Sequence, residues 1–407
     1  MLVGLVLLAS SCASPDGGAI SETGPSLARD QATTSESAPS EVATTQTVLA
    51  PSLPSGPSAL DDRFHDEFPD PVIDPSEIIS GGPPPDGIPP VDEPVFIPVA
   101  ENPDILPPSE PVVALEIHGD ARAYPVRAMV WHEIVNDVVG GVPVSVTYCP
   151  LCNSAATYER VVRGHETTFG TSGMLFASAL VMYDRATESL WTHYNGEAVV
   201  GLLAGERLVE HPSPLLSWED FRTNHEGGLV LDWTRTGFER RYGTNPYVGY
   251  DDVENAPFLF RGSLDDRAVA MQRVIGIKVE DSSLAIPLAL ASGDGSAATV
   301  TSVDVGDRSL IVFWKPGQAS ALDTSTLSGG YGVGSVGVFE SVADGAPLSF
   351  TAAGGRFLDE QTGSVWTITG VAVEGPLSGS TLERVPHLDT FWFAWSTYEP
   401  GTELLEG

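Results

Sequence analysis

Two stretches of this chain repeat each other, and a chain that repeats itself is constrained to fold as related units. Val112 to Met129 (VVALEIHGDARAYPVRAM) lines up with Val274 to Ala291 (VIGIKVEDSSLAIPLALA), matching Ala123-x-Pro125 with Ala285-x-Pro287. Downstream, Asp184-x-x-Thr187-x-Ser189-x-Trp191-Thr192 matches Asp359-x-x-Thr362-x-Ser364-x-Trp366-Thr367. Gly196, Ala198, Val199 and Gly201 then correspond to Gly370, Ala372, Val373 and Gly375, one residue out of step. Three matched blocks in one order imply a duplicated unit of roughly 100 to 140 residues, the size of one domain. The first unit is assigned to residues 61–250 and a second, degenerate one to 251–407.

The local pattern inside the units is that of strands. Val112 to Ile117 and Val142 to Tyr148 are β-branched runs, punctuated by Gly119-Asp120 and Gly140-Gly141. No long amphipathic helix is apparent. Short helices are predicted around Pro125 to Trp131 and from Ser217 through Asn224, where Ser217 caps and Asp220 takes the fourth place of a capping-box pattern. The Pro-rich stretch before Val112 contains one apolar run, Val95-Phe96-Ile97, suited to an edge strand. The fold class is therefore mainly β, two related units from an internal duplication, preceded by a disordered tether.

That tether is assigned to residues 13–60, built of Ser, Thr, Pro, Ala, Gly and acidic residues with no hydrophobic periodicity. Before it, residues 1–12 read as a lipoprotein signal: an apolar run ending in small residues before Cys12, which becomes the lipidated residue. The run is shorter than the roughly 20 apolar residues that span a bilayer. These features predict an extracytoplasmic protein held at the membrane by a lipid anchor, with simple secretion as the alternative. The formal charge of −35, with Lys278 and Lys315 the only lysines, argues against a nucleic-acid partner, since phosphate binding depends on Lys and Arg.

The chemistry concentrates at Cys149-Pro150-Leu151-Cys152, which holds two of the chain's three cysteines. In an exported protein two nearby thiols are expected to form a disulfide. A C-x-x-C pair can instead be a redox couple, but the thioredoxin arrangement sets it at a helix N-terminus, and residues 153–160 read as turn and strand. Covalent haem attachment fails because Asn153, not His, follows the second cysteine. A metal site needs further donors, because two thiolates fill half of a tetrahedral zinc site. His132, 17 residues before Cys149, is the third ligand expected, with His193, Met174 and Met182 as remaining donors. Such a set favours copper over a hard cation, with zinc the other choice. The second-copy counterpart of Val146 to Cys152 is Ile311 to Gly317, IVFWKPG, which lacks both thiols. A fold that forms there without them does not need them for its architecture, so they serve a site.

Other constellations are weaker. Asp184 recurs as Asp359 and Trp191 as Trp366, which favours a turn or ion-pair role for the first and a core role for the second. Arg240, Arg241, Tyr242, Asn245, Tyr247 and Tyr250 read as an ordered linker packing aromatics across the two units. No Gly-x-Ser-x-Gly elbow, P-loop or His-Glu-x-x-His pattern appears, and no acid, base and nucleophile set identifies an enzyme.

The segments Trp131 to Asp137, Val146 to Cys152 and Met182 to Trp191 together resemble the DUF3179 family of bacterial and archaeal proteins. The resemblance is specific from about Pro111 to Tyr250 and looser to about Trp395. It implies the domain and no reaction, and the chain departs from it at His193, where Gln or a similar polar residue is expected. The leading expectation is thus a soft-metal or thiol site on Cys149, Cys152 and His132. The alternative is a non-catalytic surface binding module whose Cys149 and Cys152 form a structural disulfide.

Overall fold

The β-branched run Pro111–Ile117 folds back on Asp120–Pro125 through His118 and Gly119, both at positive φ (50° and 82°). That is the two-residue hairpin turn whose twist matches the strands it joins. The computed structural model describes residues 52–407, so the signal, Cys12 and nearly all of the expected tether lie outside the described residues. The tether boundary at residue 60 needs correction. Ala59 is fully buried against Val181, Leu190 and Val199, and Leu53 packs on the main core.

The elements occur in two parallel series. Pro111–Ile117 and Asp120–Pro125 lead into the helix Val126–His132, then the meander Ile134–Val139, Val142–Cys149 and Ser154–Glu159. Arg273–Val279 and Ser282–Pro287 likewise lead into the short helix Leu288–Ser292, then the meander Thr299–Val305, Arg308–Lys315 and Ser335–Glu340. An antiparallel sheet follows in each case, over 169–200 with Ile79–Ser80 as a fifth strand on its edge, and four-stranded over 350–374. Each series closes with a strand, a helix and a last strand that pairs parallel with the second strand of the series: Leu229–Leu231 on Asp120–Pro125, and Glu403–Leu404 on Ser282–Pro287. Phe96–Pro98 adds the expected edge strand beside Leu229–Leu231. The fold is mainly β, as the runs predicted, and both expected helices are present. The second, Trp218–Asn224, has Ser217 as its cap, accepting from the Asp220 N–H.

The recurring Asp, Thr, Ser and Trp build the same turn twice. Trp191 Nε1 donates to Asp184 Oδ2 at 3.0 Å and Trp366 Nε1 donates to Asp359 Oδ2 at 3.0 Å. Thr187 and Thr362 hold the same carboxylates, and Gly201 and Gly375 sit at positive φ against Ser189 and Ser364, where a Cβ would collide. Both tryptophans are core residues and both aspartates are turn residues.

Residues 52–407 form one compact unit, and its largest apolar cluster draws on both series, from Val112 and Tyr148 to Phe313, Trp392 and Trp395. The series also clasp each other reciprocally. The C-terminal strand His387–Phe391 reaches the first meander, where Thr390 Oγ1 donates to the Cys152 carbonyl at 2.8 Å. The strand Leu215–Ser217 and its helix reach the second meander, where Lys315 Nζ pairs with Asp220 Oδ1 at 2.5 Å and Ser335 Oγ bonds Asp220 Oδ2 at 2.7 Å.

Strand pairing corrects the alignment of the cysteines by one residue. Cys149 lies opposite Ser154 at the end of the first meander, and Lys315 lies opposite Ser335 at the end of the second. Lys315, not Trp314, therefore stands where Cys149 stands. The turn that brings Cys152 in the first series is replaced by the loop of residues 316–334 in the second.

Candidate functional site

Period-two alternation puts Thr147 and Cys149 on one face of the strand Val142–Cys149, and their partners Ala156 and Ser154 on the same face. Asn153 takes φ 51°, a conformation that asparagine tolerates, and so turns the chain from Cys152 back into Ser154. Its side chain is held by Nδ2 donating to the Asp389 carbonyl at 3.0 Å. The turn thus depends on residues of the C-terminal strand.

Both cysteines are free thiols and both are buried, Cys149 at 1% exposure and Cys152 at 0%. From Cys152 a chain of hydrogen bonds runs to Ser154 Oγ (3.0 Å), from there to His193 Nε2 (2.7 Å), and from His193 Nδ1 to Thr147 Oγ1 (2.7 Å). Its direction follows from its far end. Thr147 spends its only proton on the Ala156 carbonyl at 2.7 Å, so it accepts from His193 Nδ1–H. His193 Nε2 is then a bare acceptor, the Ser154 hydroxyl donates to it, and Ser154 Oγ is left to accept from the Cys152 thiol. Burial pushes the His193 pKa down to about 3, consistent with this neutral tautomer.

The two thiols are electrostatically unequal. Burial works against the Cys149 thiolate, but the adjacent Cys152 side chain and hydrogen bonds from the backbone of Leu180, Cys152 and Leu151 outweigh it, and its pKa is lowered. Burial and the neighbouring Cys149 push Cys152 well up. Cys149 is therefore the easier of the two to ionise.

His132 takes no part in this cluster. Its Nδ1 bonds the Pro89 carbonyl at 2.7 Å, which can only accept, so Nδ1 carries the proton and Nε2 takes the Tyr242 hydroxyl at 2.7 Å. No lone pair is left for a metal, and burial lowers its pKa. His193 likewise has both nitrogens engaged. Among the described residues no three His, Cys, Asp or Glu side chains come together as a metal-binding group. Met174 instead faces Arg63, whose Nη1 lies 3.1 Å from its sulfur. The expected copper or zinc set of Cys149, Cys152 and His132 is therefore not assembled, because the helix that carries His132 directs its ring to the linker and to residue 89.

Sequence reasoning missed three neighbours: Thr147, Ser154 and Glu133. Glu133 ends the helix Val126–His132 in a left-handed conformation (φ 58°), is 7% exposed, and lies close enough to Cys149 for the thiolate to help raise its pKa. Burial is the larger cause and pushes that pKa well above the ordinary carboxyl value. Among the described residues no hydrogen bond or ion pair reaches its carboxyl group.

The linker reaches the cysteine turn. Tyr250 donates its hydroxyl to the Leu151 carbonyl at 2.9 Å, accepts the Phe258 N–H at 3.1 Å and packs against Phe391. Tyr250→Phe removes this latch. A hydrogen bond contributes about 1 kcal/mol net, so opening of the cover, read as the alkylation rate of Cys149 by a small maleimide, is expected to rise roughly fivefold. An unchanged rate would mean that the reagent reaches the thiol by another route.

A family model described as "Protein of unknown function (DUF3179)" matches residues 85–402. No curated protein and no solved structure matches the chain.

Proposed function

The chain belongs to the DUF3179 family, whose description assigns no reaction, and we propose that its site is a dithiol that exchanges with disulfides. The carrying observation is the inequality of two adjacent thiols: Cys149 accepts hydrogen bonds, while Cys152 faces a hydroxyl whose own proton is committed to His193. A thiolate beside a proton-holding thiol is the arrangement in which one sulfur attacks and the other resolves. The second series supports the reading, since it forms the corresponding meander with Lys315 and without cysteines. We read the two series as one duplicated unit of which the first half carries the chemistry.

In the exchange, the Cys149 thiolate attacks one sulfur of an organic disulfide and the other sulfur leaves as a thiolate. Cys152 then gives up its proton and attacks Cys149, closing the internal disulfide and releasing the second thiol. Two electrons pass to the substrate. The proposed setting is extracytoplasmic, with the domain tethered to the membrane through acylated Cys12. Loss of the protein from the membrane fraction in Cys12→Ala checks that part.

The reading is tested by equilibrating the full chain in glutathione buffers of graded ratio and counting free thiols by alkylation and mass spectrometry. A reversible transition that joins Cys149 to Cys152 supports it. Stoichiometric copper or zinc in protein purified under reducing conditions would favour the metal site instead. A disulfide that forms once, resists reduction in the folded protein and is needed for stability would favour the structural role.

A further inference from the structure

The core beside the cysteines is filled differently in the two series. In the first, Thr147, Ser154 and His193 are fully buried and joined by hydrogen bonds. In the second, the corresponding places hold Phe313, Ser335 and Ile368. Phe313 lies two residues before Lys315 on its strand, as Thr147 lies two before Cys149. Ile368 follows Trp366 by two, as His193 follows Trp191, and both tryptophans bond the same turn aspartate. Ser335 serves other partners, donating to Asp220 Oδ2 at 2.7 Å and accepting the Ser217 N–H at 2.9 Å.

The scaffold therefore folds with apolar side chains at two of these three positions. Apolar filling avoids desolvating an imidazole and a hydroxyl, yet the half that carries Cys149 and Cys152 has the polar one. The hydrogen-bond chain is closed at its far end, because the Thr147 proton rests on the Ala156 carbonyl, so it leads no proton out of the core. What it fixes is direction. With the Ser154 hydroxyl donating to His193 Nε2, the 3.0 Å bond between Ser154 and Cys152 has one sense only, and that sense requires a proton on the sulfur.

We propose that His193 is a positioning residue that, through Ser154, favours the dithiol form of the pair over its disulfide. This role rests on the dithiol reading and sets the balance point of the same couple. In the reduced state Cys152 donates its S–H to Ser154 Oγ. When the Cys149–Cys152 bond closes, two electrons pass to the substrate disulfide, the Cys152 proton leaves with the second substrate thiol, and Ser154 Oγ loses its donor. The hydroxyl cannot turn to the new disulfide without stranding the buried His193 acceptor, which is unfavourable. One hydrogen bond is thus present in the dithiol and missing in the disulfide, and a couple whose reduced form is stabilised is more oxidising.

The test is the position of the equilibrium in glutathione buffers, read on the full chain by alkylation and mass spectrometry. Ser154→Ala removes the acceptor. Because S–H is a weak donor, the equilibrium should move about threefold toward the disulfide, roughly 14 mV. His193→Ile installs the residue of the second series and frees the Ser154 hydroxyl to donate to sulfur in either state, so a shift in the same direction is expected. The double variant should shift no further than Ser154→Ala alone, since His193 acts through Ser154. His193→Gln carries a donor and an acceptor on one side chain and should keep the wild-type balance. A purely structural role would destabilise both redox forms alike and leave the equilibrium unmoved. Wild-type equilibria in Ser154→Ala and His193→Ile, or additive shifts in the double variant, would overturn the proposal, while a reversible wild-type transition leaves the dithiol reading standing. A wild-type chain that forms no Cys149–Cys152 disulfide would overturn both.

Discussion

Cys149→Ser is expected to reduce disulfide exchange to background, whereas Cys152→Ser should still react once with a disulfide and stop as a stable mixed disulfide on Cys149. The asymmetry follows from the hydrogen bonds. Cys149 is the sulfur whose anion is stabilised, by the Cys152 side chain and by backbone groups of Leu180, Cys152 and Leu151. Cys152 is held as a thiol and is useful only as the second attacker. A serine at 149 has no accessible anion near neutral pH, so no first step occurs. A serine at 152 leaves Cys149 nucleophilic and removes the group that would release the adduct. Glutathione adducts counted by intact mass read this directly. Adducts trapped equally on either single variant would mean that the two sulfurs are interchangeable, and the assignment of roles would fail.

The largest loss of stability should come from the other end of the same turn. Arg273 lies in the interior with its Nη2 2.8 Å from Asp389 Oδ2 and its Nε 3.1 Å from Asp389 Oδ1, and its Nη1 reaches Ser320 Oγ at 3.1 Å. The two side chains are 6% and 8% exposed. Asp389→Ala would leave the guanidinium buried with only Asp251, 3.9 Å away, to balance it. Removing one partner of a buried pair costs about 3–5 kcal/mol, chiefly because the remaining charge is stranded. Replacing both, as Arg273→Met with Asp389→Leu, is expected to recover most of that loss. Urea unfolding of the two single variants and the double variant gives the comparison. Single-variant losses below about 1 kcal/mol would show that water or relaxation compensates the charge.

Much of the fold was legible because strands announce themselves by β-branched runs and Gly-Asp punctuation. The Ser217 cap was legible because capping has a fixed spacing. The partners of the cysteines were not. His132 was expected beside them because it is close in sequence, but the helix that carries it ends at Glu133 and its ring bonds Pro89 and Tyr242. His193 was named only among the remaining donors, and it is the histidine that faces the site, through Ser154 and Thr147. Hydroxyl relays leave no spacing signature, since their members meet through strand pairing between segments. The matched blocks fall on corresponding elements, yet their register at the cysteines was off by one, because the loop of residues 316–334 replaces a short turn and sequence matching cannot place it. Glu133 was hidden for a different reason: an acidic residue at a helix end looks like ordinary surface until its burial is known.

The reciprocal clasp also imposes a timetable on the chain. The Cys152 carbonyl is held by Thr390, 238 positions further on, and Asn153 by Asp389. Chains are made from the N-terminus at roughly 5 to 20 residues per second, so a growing chain carries its cysteines for some seconds or more before the strand that encloses them has been synthesised. During that interval the turn lacks its enclosing strand, and cross-linking to other thiols competes with folding. A chain released early, without its last twenty or so residues, would keep the sulfur pair but not the strand that holds their turn.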